Sequence, residues 1–192
     1  MTNAHAHADD VDIIKIIYEK DNDDMTIRTY LNELLHSFDD KPAVYCRSVV
    51  TWFKHGLVHR DGDKPSRIWK GGYIYSKEGK RHRIGGPALV YFSNNNNKYC
   101  EEWFYEDQLH RVSGPAGIYS DTKKWYFKGL LHCTIGPAIK YDKNLNNTDE
   151  WWIDGVRYDE IPFGKMITLF VNNQAKSLIP YNNSYNNLSM SE

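Results

Sequence analysis

The chain has 192 residues, of which 41% are hydrophobic, 14% aromatic and 26% charged, and its formal net charge is −1. This length allows one domain with its own core, and the composition excludes a wholly disordered chain. Because no run reaches the roughly 20 apolar residues of a membrane-spanning helix and the start lacks the basic and apolar regions of a signal peptide, we expect an intracellular protein without a membrane span.

The first segment, residues 1–32, is predicted to be an acidic, partly helical cap. Residues 1–40 carry a net charge of −7, whereas the rest of the chain carries +6. Residues 11–18 fit either a helix or a strand. After a candidate N-cap at Asp24 or Thr26, apolar residues recur at helical spacing, at Ile27, Tyr30, Leu31, Leu34, Leu35 and Phe38. Such a cap would cover the open edge of the array that follows; a short F-box-like set of adaptor helices is the alternative.

Residues 33–162 contain a repeated motif with the pattern aromatic-x-x-x-Gly-x-x-His-Arg-x-x-Gly-Pro-Ala-x-x-aromatic. An aromatic residue stands four positions before the glycine position in five copies, at Trp52, Tyr75, Trp103, Trp125 and Trp151. The clear copies are GKRHRIGGPALVY (79–91), DQLHRVSGPAGIY (107–119) and GLLHCTIGPAIKY (129–141), and the longer or degenerate ones are ELLHSFDDKPAVY (33–45), GLVHRDGDKPSRIW (56–69) and GVRYDEIPF (155–163).

Each copy predicts a β-hairpin. Pro-Ala-x-x-aromatic is typical of a first strand, a segment such as EEWFY is typical of a second, and the glycine breaks that second strand. Asn-rich insertions, SNNNNK (93–98) and KNLNNT (143–148), mark loop tips. The fold class is therefore mainly β: an elongated array of five to six antiparallel hairpins that stack into a twisted sheet. A capping strand at 163–171 and an Asn- and Ser-rich tail at 172–192 are predicted to follow.

These units resemble the variant MORN repeats of large DNA viruses of amoebae and related hosts. The resemblance covers about two-thirds of the chain and departs from the pattern at Asp107, Cys133 and Tyr158, where Gly, Arg and His are expected. It implies a hairpin-repeat fold and a scaffold for protein interaction or assembly, in a virion or in the host cytoplasm. Some arrays of this type have been proposed to bind acidic lipid, and they are not catalytic by themselves.

Four histidines occupy one phase of the repeat, at His59, His82, His110 and His132. Equivalent positions of adjacent hairpins are about 10 Å apart if two strands intervene, which is too far for two imidazoles to share one metal ion. We therefore predict that each histidine bonds to backbone in its own turn. The three cysteines form no C-x-x-C pair, so neither a zinc site nor a disulfide framework is indicated. No metal and no cofactor are predicted.

The residues predicted to contact a partner are four cations and the second aromatic residue of each strand: Lys80, Arg81, Arg83, Arg111, Phe53, Phe104, Tyr126 and Trp152. The aromatic residues should face away from the repeat tryptophans beside them. Lys80 and Arg81 are particular to one copy, since the other copies carry Leu-Val, Gln-Leu or Leu-Leu there. GGPA is not a phosphate-binding loop, because a strand and not a helix follows it.

The sequence thus predicts a non-enzymatic scaffold that binds a protein partner, as a virion or assembly component or as a host-directed adaptor. One alternative is a peripheral module that binds acidic lipid or nucleic-acid phosphates through an Arg/Lys stripe. Another is an immunity or accessory protein that blocks a toxin or an enzyme. The oligomeric state is left open.

Overall fold

The structure is a computed structural model that describes residues 12–21, 24–93, 98–142 and 147–158. In these residues the regular secondary structure consists of strands alone. In chain order the strands are β1 (Ile14–Asp21), β2 (Asp24–Leu31), β3 (Leu34–Leu35), β4 (Val44–Tyr45), β5 (Val49–Thr51), β6 (Phe53–Lys54), β7 (Leu57–Val58), β8 (Arg67–Trp69), β9 (Gly72–Ile74), β10 (Ser76–Lys77), β11 (Lys80–Arg81), β12 (Leu89–Ser93), β13 (Lys98–Glu102), β14 (Phe104–Tyr105), β15 (Gln108–Leu109), β16 (Gly117–Ile118), β17 (Thr122–Lys124), β18 (Tyr126–Phe127), β19 (Leu130–Leu131), β20 (Ile139–Tyr141), β21 (Trp151–Ile153) and β22 (Val156–Tyr158).

One large antiparallel sheet runs through the described part of the chain. Its strands are neighbours in the order β1-β2-β4-β5-β8-β9-β12-β13-β16-β17-β20, and β3 pairs beside β2. Five two-stranded hairpins accompany it, namely β6-β7, β10-β11, β14-β15, β18-β19 and β21-β22. The prediction of a mainly β fold made of antiparallel hairpins is confirmed. The predicted strand at 163–171 and the tail at 172–192 lie outside the described residues.

In the described part of the predicted cap, residues 12–21 and 24–32, no helix is seen, and two paired antiparallel strands stand in its place. Strands β1 and β2 pair over their whole length, from Ile14 opposite Leu31 to Asp21 opposite Asp24. Asn32 and Glu33, inside the predicted helix, have φ values of 49° and 64° and form a turn. The helical spacing of the apolar residues is overridden because β-branched residues gain cross-strand partners on both sides of β2.

In the second, third and fourth units of the array, a small hairpin is followed by a two-stranded segment of the large sheet. The predicted second strand is therefore wrong in one respect: EEWFY is not continuous. Strand β13 ends at Glu102, Trp103 lies between the sheets, and β14 begins at Phe104. We count the units from the position four residues before the glycine position, which is Thr29 in the first unit and aromatic in the others. They are the first (29–51), second (52–74), third (75–102), fourth (103–124), fifth (125–150) and sixth (from 151).

The small hairpins turn through two consecutive residues with positive φ, as two-residue turns of type I′ require. In the third unit these are Glu78 (51°) and Gly79 (82°). The fourth unit has Glu106 (50°) and Asp107 (63°) instead, so it reaches the same turn without glycine. Aspartate tolerates the left-handed region better than most residues, which explains why the repeat survives its departure from the consensus at Asp107.

A row of small buried side chains runs across the large sheet beside the repeat aromatics. These are the residues that directly follow the repeat prolines, and each is at most 1% exposed: Ala43, Ser66, Ala88, Ala116 and Ala138. Extending the strand registers by one residue places Ala88 between Tyr75 and Trp103. The backbone continues the ladder there, since the N–H of Tyr75 donates to the carbonyl of Ala88 over 2.7 Å. A small residue is needed because aromatic rings flank it on both sides.

Enlarging that small residue should therefore destabilise the protein. The variant Ala88→Leu is expected to lower the free energy of unfolding by about 1–3 kcal/mol, because the added atoms have no room between the rings. Urea denaturation measures this. Val112→Leu, which enlarges a half-exposed residue in the turn after His110, is the matched control and should change the value by less than about 0.5 kcal/mol. Equal effects of the two variants would contradict the assigned packing.

Candidate interaction surfaces

The arginines of the repeat cover the aromatic residues of their own units. In each case the guanidinium carbon lies 3.7–3.9 Å from the ring centroid, in the pairs Arg60–Trp52, Arg83–Tyr75 and Arg111–Trp103. The same guanidinium donates through Nη1 to the carbonyl of the repeat proline, in the pairs Arg60–Pro65 (3.1 Å), Arg83–Pro87 (3.3 Å) and Arg111–Pro115 (3.2 Å). Stacking and hydrogen bonding together make these arginines part of the architecture.

Two of these arginines also pair with an aspartate of the preceding unit. Arg60 holds Asp40 with two hydrogen bonds of 2.7 and 3.0 Å, and Arg83 holds Asp63 with bonds of 2.7 and 2.9 Å. Hydrogen bonds from Arg60 and Lys64 hold the pKa of Asp40 far below its usual range. The bond from Arg83 likewise lowers the pKa of Asp63. Both arginines are thus neutralised locally and connect adjacent units.

Arg111 differs from the other two because the unit before its own lacks the matching acid. Asp40 and Asp63 both stand two residues before a proline, and Gly85 occupies that place before Pro87. Among residues 12–21, 24–93, 98–142 and 147–158, no carboxylate lies within ion-pair distance of Arg111. In the fifth unit Cys133, which is buried, replaces the arginine.

Lys80 and Arg81, predicted to contact an acidic partner, are engaged with the turn of the fourth unit. Nζ of Lys80 donates to Glu106 over 3.0 Å, and Nε of Arg81 donates to Asp107 over 2.6 Å. The bond from Lys80 lowers the pKa of Glu106. The guanidinium of Arg81 also covers the ring of Phe104 at 3.8 Å. Both side chains are partly exposed, and their charges are compensated within the molecule.

The repeat histidines join neighbouring units. Nδ1 of His110 accepts a hydrogen bond of 3.2 Å from the N–H of Lys128, in the turn of the next hairpin. The same bond recurs, at 3.1–3.3 Å, in the pairs His36–His55, His59–Glu78 and His132–Asp154. The predicted bonding to backbone is thus seen for His59, His110 and His132, but the prediction that each histidine bonds in its own turn is wrong, because the backbone belongs to the next turn. Nδ1 of the fourth, His82, instead lies 2.9 Å from a carboxylate oxygen of Glu106.

The second aromatic residues do not form an exposed series. Phe104 is only 5% exposed, so its ring is not free for a partner. Phe53, Tyr126 and Trp152 are half-buried. The indole N–H of Trp152 donates to Glu150 over 2.9 Å. Their predicted role as partner anchors stays a prediction for the three half-buried rings.

The large sheet carries an exposed apolar surface that the sequence analysis missed. Residues directly opposite one another across the strands form one line along a face of the sheet, which we call the apolar row: Tyr18, Ile27, Tyr45, Val50, Ile68 and Tyr73. Tyr18 is 67% exposed, Tyr45 48% and Ile68 36%. A sequence signal for this surface exists at the third position after each repeat proline, where the first two copies carry the apolar side chains of Tyr45 and Ile68.

The same line becomes basic towards the other end of the sheet. It continues from Tyr73 to Val90, Glu101, Ile118, Lys123 and Lys140. Lys123 and Lys140 are exposed and stand directly opposite each other, which is unfavourable for like charges. They line a cavity of 620 Å³ with Pro115, Ile118 and Trp125, which we call the C-terminal groove. Asp121 and Asp142 also reach its wall.

The other chemistry-bearing side chains give no cluster. Cys46, Cys100 and Cys133 are free thiols, the last two buried. A hydrogen bond from the Ser48 hydroxyl to Sγ lowers the pKa of Cys46. Within the part of the chain that the structure describes, no group of three or more His, Cys, Asp or Glu side chains could hold a metal ion. None of the described residues forms a helix with the length and apolarity that a membrane crossing needs.

Comparisons with family models, with curated proteins and with solved structures give no match to this chain. The resemblance to variant MORN repeats therefore rests on the residues of the repeated motif alone.

The histidine bonds predict a dependence of stability on pH. Burial, followed by the charge of Lys128, lowers the pKa of His110, so the folded state favours the neutral ring. The stability from this neutral ring is present above the ordinary histidine pKa of about 6.5 and is lost as the pH falls through the lower pKa of the folded state. His110→Phe removes the acceptor and keeps an aromatic ring against Tyr105 and Phe127.

The variant should therefore lose about 0.5–1.5 kcal/mol of unfolding free energy at pH 7.5. It should lose less at pH 5, below the ordinary histidine pKa of about 6.5, because there the unfolded natural chain gains a proton that the folded ring of His110 resists. Urea denaturation of both chains at the two pH values checks this. A loss that is the same at both values would contradict the assigned bond.

Proposed function

We propose that this protein is a non-enzymatic repeat scaffold of the MORN type that binds another protein. The apolar row is the observation that carries the proposal. It presents tyrosine and aliphatic side chains in one line across six consecutive large-sheet strands. Aromatic and aliphatic side chains that a partner can desolvate are the usual source of binding energy at protein interfaces.

The charges of the neighbouring repeat positions support this assignment. Carboxylates of adjacent units form ion pairs with four of the cations, Arg60, Arg83, Lys80 and Arg81. They stabilise the array, so they are poorly placed to supply a free basic stripe. The uncharged surface that remains exposed beside them favours a protein partner over a phosphate-bearing one for the N-terminal half of the sheet.

The origin and place of action follow from the resemblance. We propose a viral protein that acts inside the host cell or in the virion, as an assembly component or as a host-directed adaptor. An immunity or accessory protein that blocks an enzyme would use the same kind of surface.

Replacing two residues of the apolar row should abolish partner binding without unfolding the chain. Tyr45→Asp with Ile68→Asp places two charges in the row that partner binding would bury. The binding free energy should weaken by about 3 kcal/mol, which corresponds to at least a hundredfold loss of affinity. Partners are recovered with the full chain as bait from its natural host cell or virion, identified by mass spectrometry and then measured as purified proteins. The matched control is Ile84→Asp, at a residue 76% exposed in a turn outside the row.

A partner retained by the double variant and by the control alike would contradict the proposal, provided that both variants keep the natural unfolding midpoint in urea.

A second candidate function is supported by the C-terminal groove. Lys123 and Lys140 face each other there, and Arg111, which bonds the Pro115 carbonyl, adds a third cation close by. A bound anion would relieve the repulsion between these neighbouring cations, and the ring of Trp125 offers a surface on which a base could stack. Acidic lipid or nucleic-acid phosphate is the matching ligand class.

Salt dependence tests this second function. If it is correct, binding to phosphatidylserine vesicles or to a single-stranded oligonucleotide is detectable at low salt and falls steeply as salt is added. Lys123→Glu with Lys140→Glu should remove it, whereas Lys77→Glu, at an exposed position on a small hairpin, should not. Absence of binding to both probes at low salt would dismiss it and leave the scaffold proposal untouched.

A further inference from the structure

Strand β1 leaves one edge of the large sheet open. It is the outermost strand, and among the described residues its pairing is with β2 alone. Thr29, opposite Ile16, directs its N–H to the carbonyl of Ala43 and its carbonyl to the N–H of His36, both on the far side of β2. The pair Ile16–Thr29 is therefore of the type without hydrogen bonds, so the backbone groups of Ile16 point to the open edge.

The alternation of an antiparallel ladder extends this assignment along the strand. Ile14, Tyr18 and Lys20 share the phase of Ile16 and also direct their N–H and C=O groups outwards. The residues between them point inwards, towards β2. Ile13 shows this, since its carbonyl accepts a hydrogen bond of 2.9 Å from the N–H of Asn32. The edge thus offers four donors and four acceptors over eight residues without a proline or a glycine. Such an edge is a template for another strand.

The side chains of the edge strand are divided between its two faces. Ile14, Ile16 and Tyr18 lie on the face of the apolar row and are 58%, 52% and 67% exposed. Lys15 and Glu19 lie on the other face, on either side of Ile17. The strand therefore has opposite charges placed symmetrically about one residue.

We propose that a second copy of this chain pairs with β1, antiparallel and in the register that sets Ile17 opposite Ile17. In this register Lys15 of each copy stands opposite Glu19 of the other. Ile16 stands opposite Tyr18 twice, on the face of the apolar row. The outward backbone groups meet in the pairs Ile16–Tyr18 and Ile14–Lys20, which gives about eight hydrogen bonds between the copies. The interface is a two-fold one, in which the same surface is used by both partners.

Other registers fit less well. A slip of one residue sets outward backbone groups of one copy against inward groups of the other and exchanges the faces. The next register of correct phase in one direction, centred on Ile16, brings Ile17 opposite Lys15 and removes both charge pairs. The register centred on Tyr18 replaces them with pairs between Lys15 and Asp21 at the strand ends, and it sets Ile17 opposite Glu19, which places a charge against an apolar side chain on both sides of the axis. Charged residues on an edge strand commonly block pairing, but in the register centred on Ile17 each meets its opposite.

The charges of the neighbouring strands extend the contact. Within one copy Lys15 pairs with Glu33 and Glu19 pairs with Arg28. Pairing of the two copies would therefore form a row of alternating charge, with Glu33 and Lys15 from one copy followed by Glu19 and Arg28 from the other. The two-fold axis repeats this row once. It would also join the two apolar rows into one across the two-fold axis.

Charge reversal tests the partner and the register together. The full natural chain is expected to be a dimer in analytical ultracentrifugation at concentrations up to about 0.1 mM. Lys15→Glu creates two Glu–Glu contacts between copies, and Glu19→Lys creates two Lys–Lys contacts. Each variant alone should dimerise at least about tenfold more weakly. An equimolar mixture of the two should dimerise as well as the natural chain, because every reversed residue then meets its opposite.

The mixture separates the interface from effects inside one chain, since each variant keeps its altered contact with Arg28 or Glu33 in both samples. Dimers that persist in both single variants, or a mixture that stays monomeric, would overturn the proposed register. A natural chain that is monomeric at every concentration would overturn the dimer itself.

Amide hydrogen exchange gives an independent readout. Protection of the outward amides of Ile16 and Tyr18 should rise with protein concentration, whereas the inward amides of Lys15, Ile17 and Glu19 are protected by β2 at all concentrations. Protection of Ile16 and Tyr18 that is high and independent of concentration would mean that another part of the same chain covers the edge, which also overturns the proposal. Tyr45→Asp with Ile68→Asp should leave dimerisation unchanged, so failure here and failure of the scaffold function are distinguishable.

Discussion

The packing of one small side chain per unit against aromatic rings is the constraint on which this array depends. Ala88 illustrates it, since it is 0% exposed and lies between Tyr75 and Trp103. The preceding proline, Pro87, stands two residues before strand β12, and its carbonyl accepts a hydrogen bond from Arg83, which covers the ring of Tyr75. The Gly-Pro-Ala and His-Arg segments of the motif, separated in sequence, are thus parts of one contact. A sheet this thin has few other places to bury side chains.

The repeat made much of the fold predictable, because a motif that recurs at nearly constant spacing specifies the hairpins that it builds. Two things were not predictable from that spacing. Residues 14–31 precede the repeat, and their strand pairing depends on partners in β4 that no local pattern shows. The break at Trp103 was hidden as well, because alternation continues through EEWFY although its two halves belong to different sheets.

The candidate surfaces were harder to predict than the fold, since they depend on contacts between units. The motif located Lys80 and Arg81 but not their partners Glu106 and Asp107, which lie 26 residues away along the chain. It likewise located the histidines without the turn that each one bonds. The apolar row appeared only when strand registers placed Tyr45 and Ile68 on one line. Its residues vary from unit to unit, so they stand out least in a search for recurring positions.

Ion pairs are distributed unequally over the boundaries between units. Asp40 with Arg60, Asp63 with Arg83, and Lys80 with Glu106 cross the first three boundaries. Across the boundary between the fourth and fifth units, by contrast, no ion pair joins residues that the structure describes. Salt screens exposed charges, whereas cooling weakens apolar contacts. The boundary before Trp125, which hydrogen bonds such as that from Lys128 to His110 join, should therefore depend less on ionic strength than the three earlier boundaries.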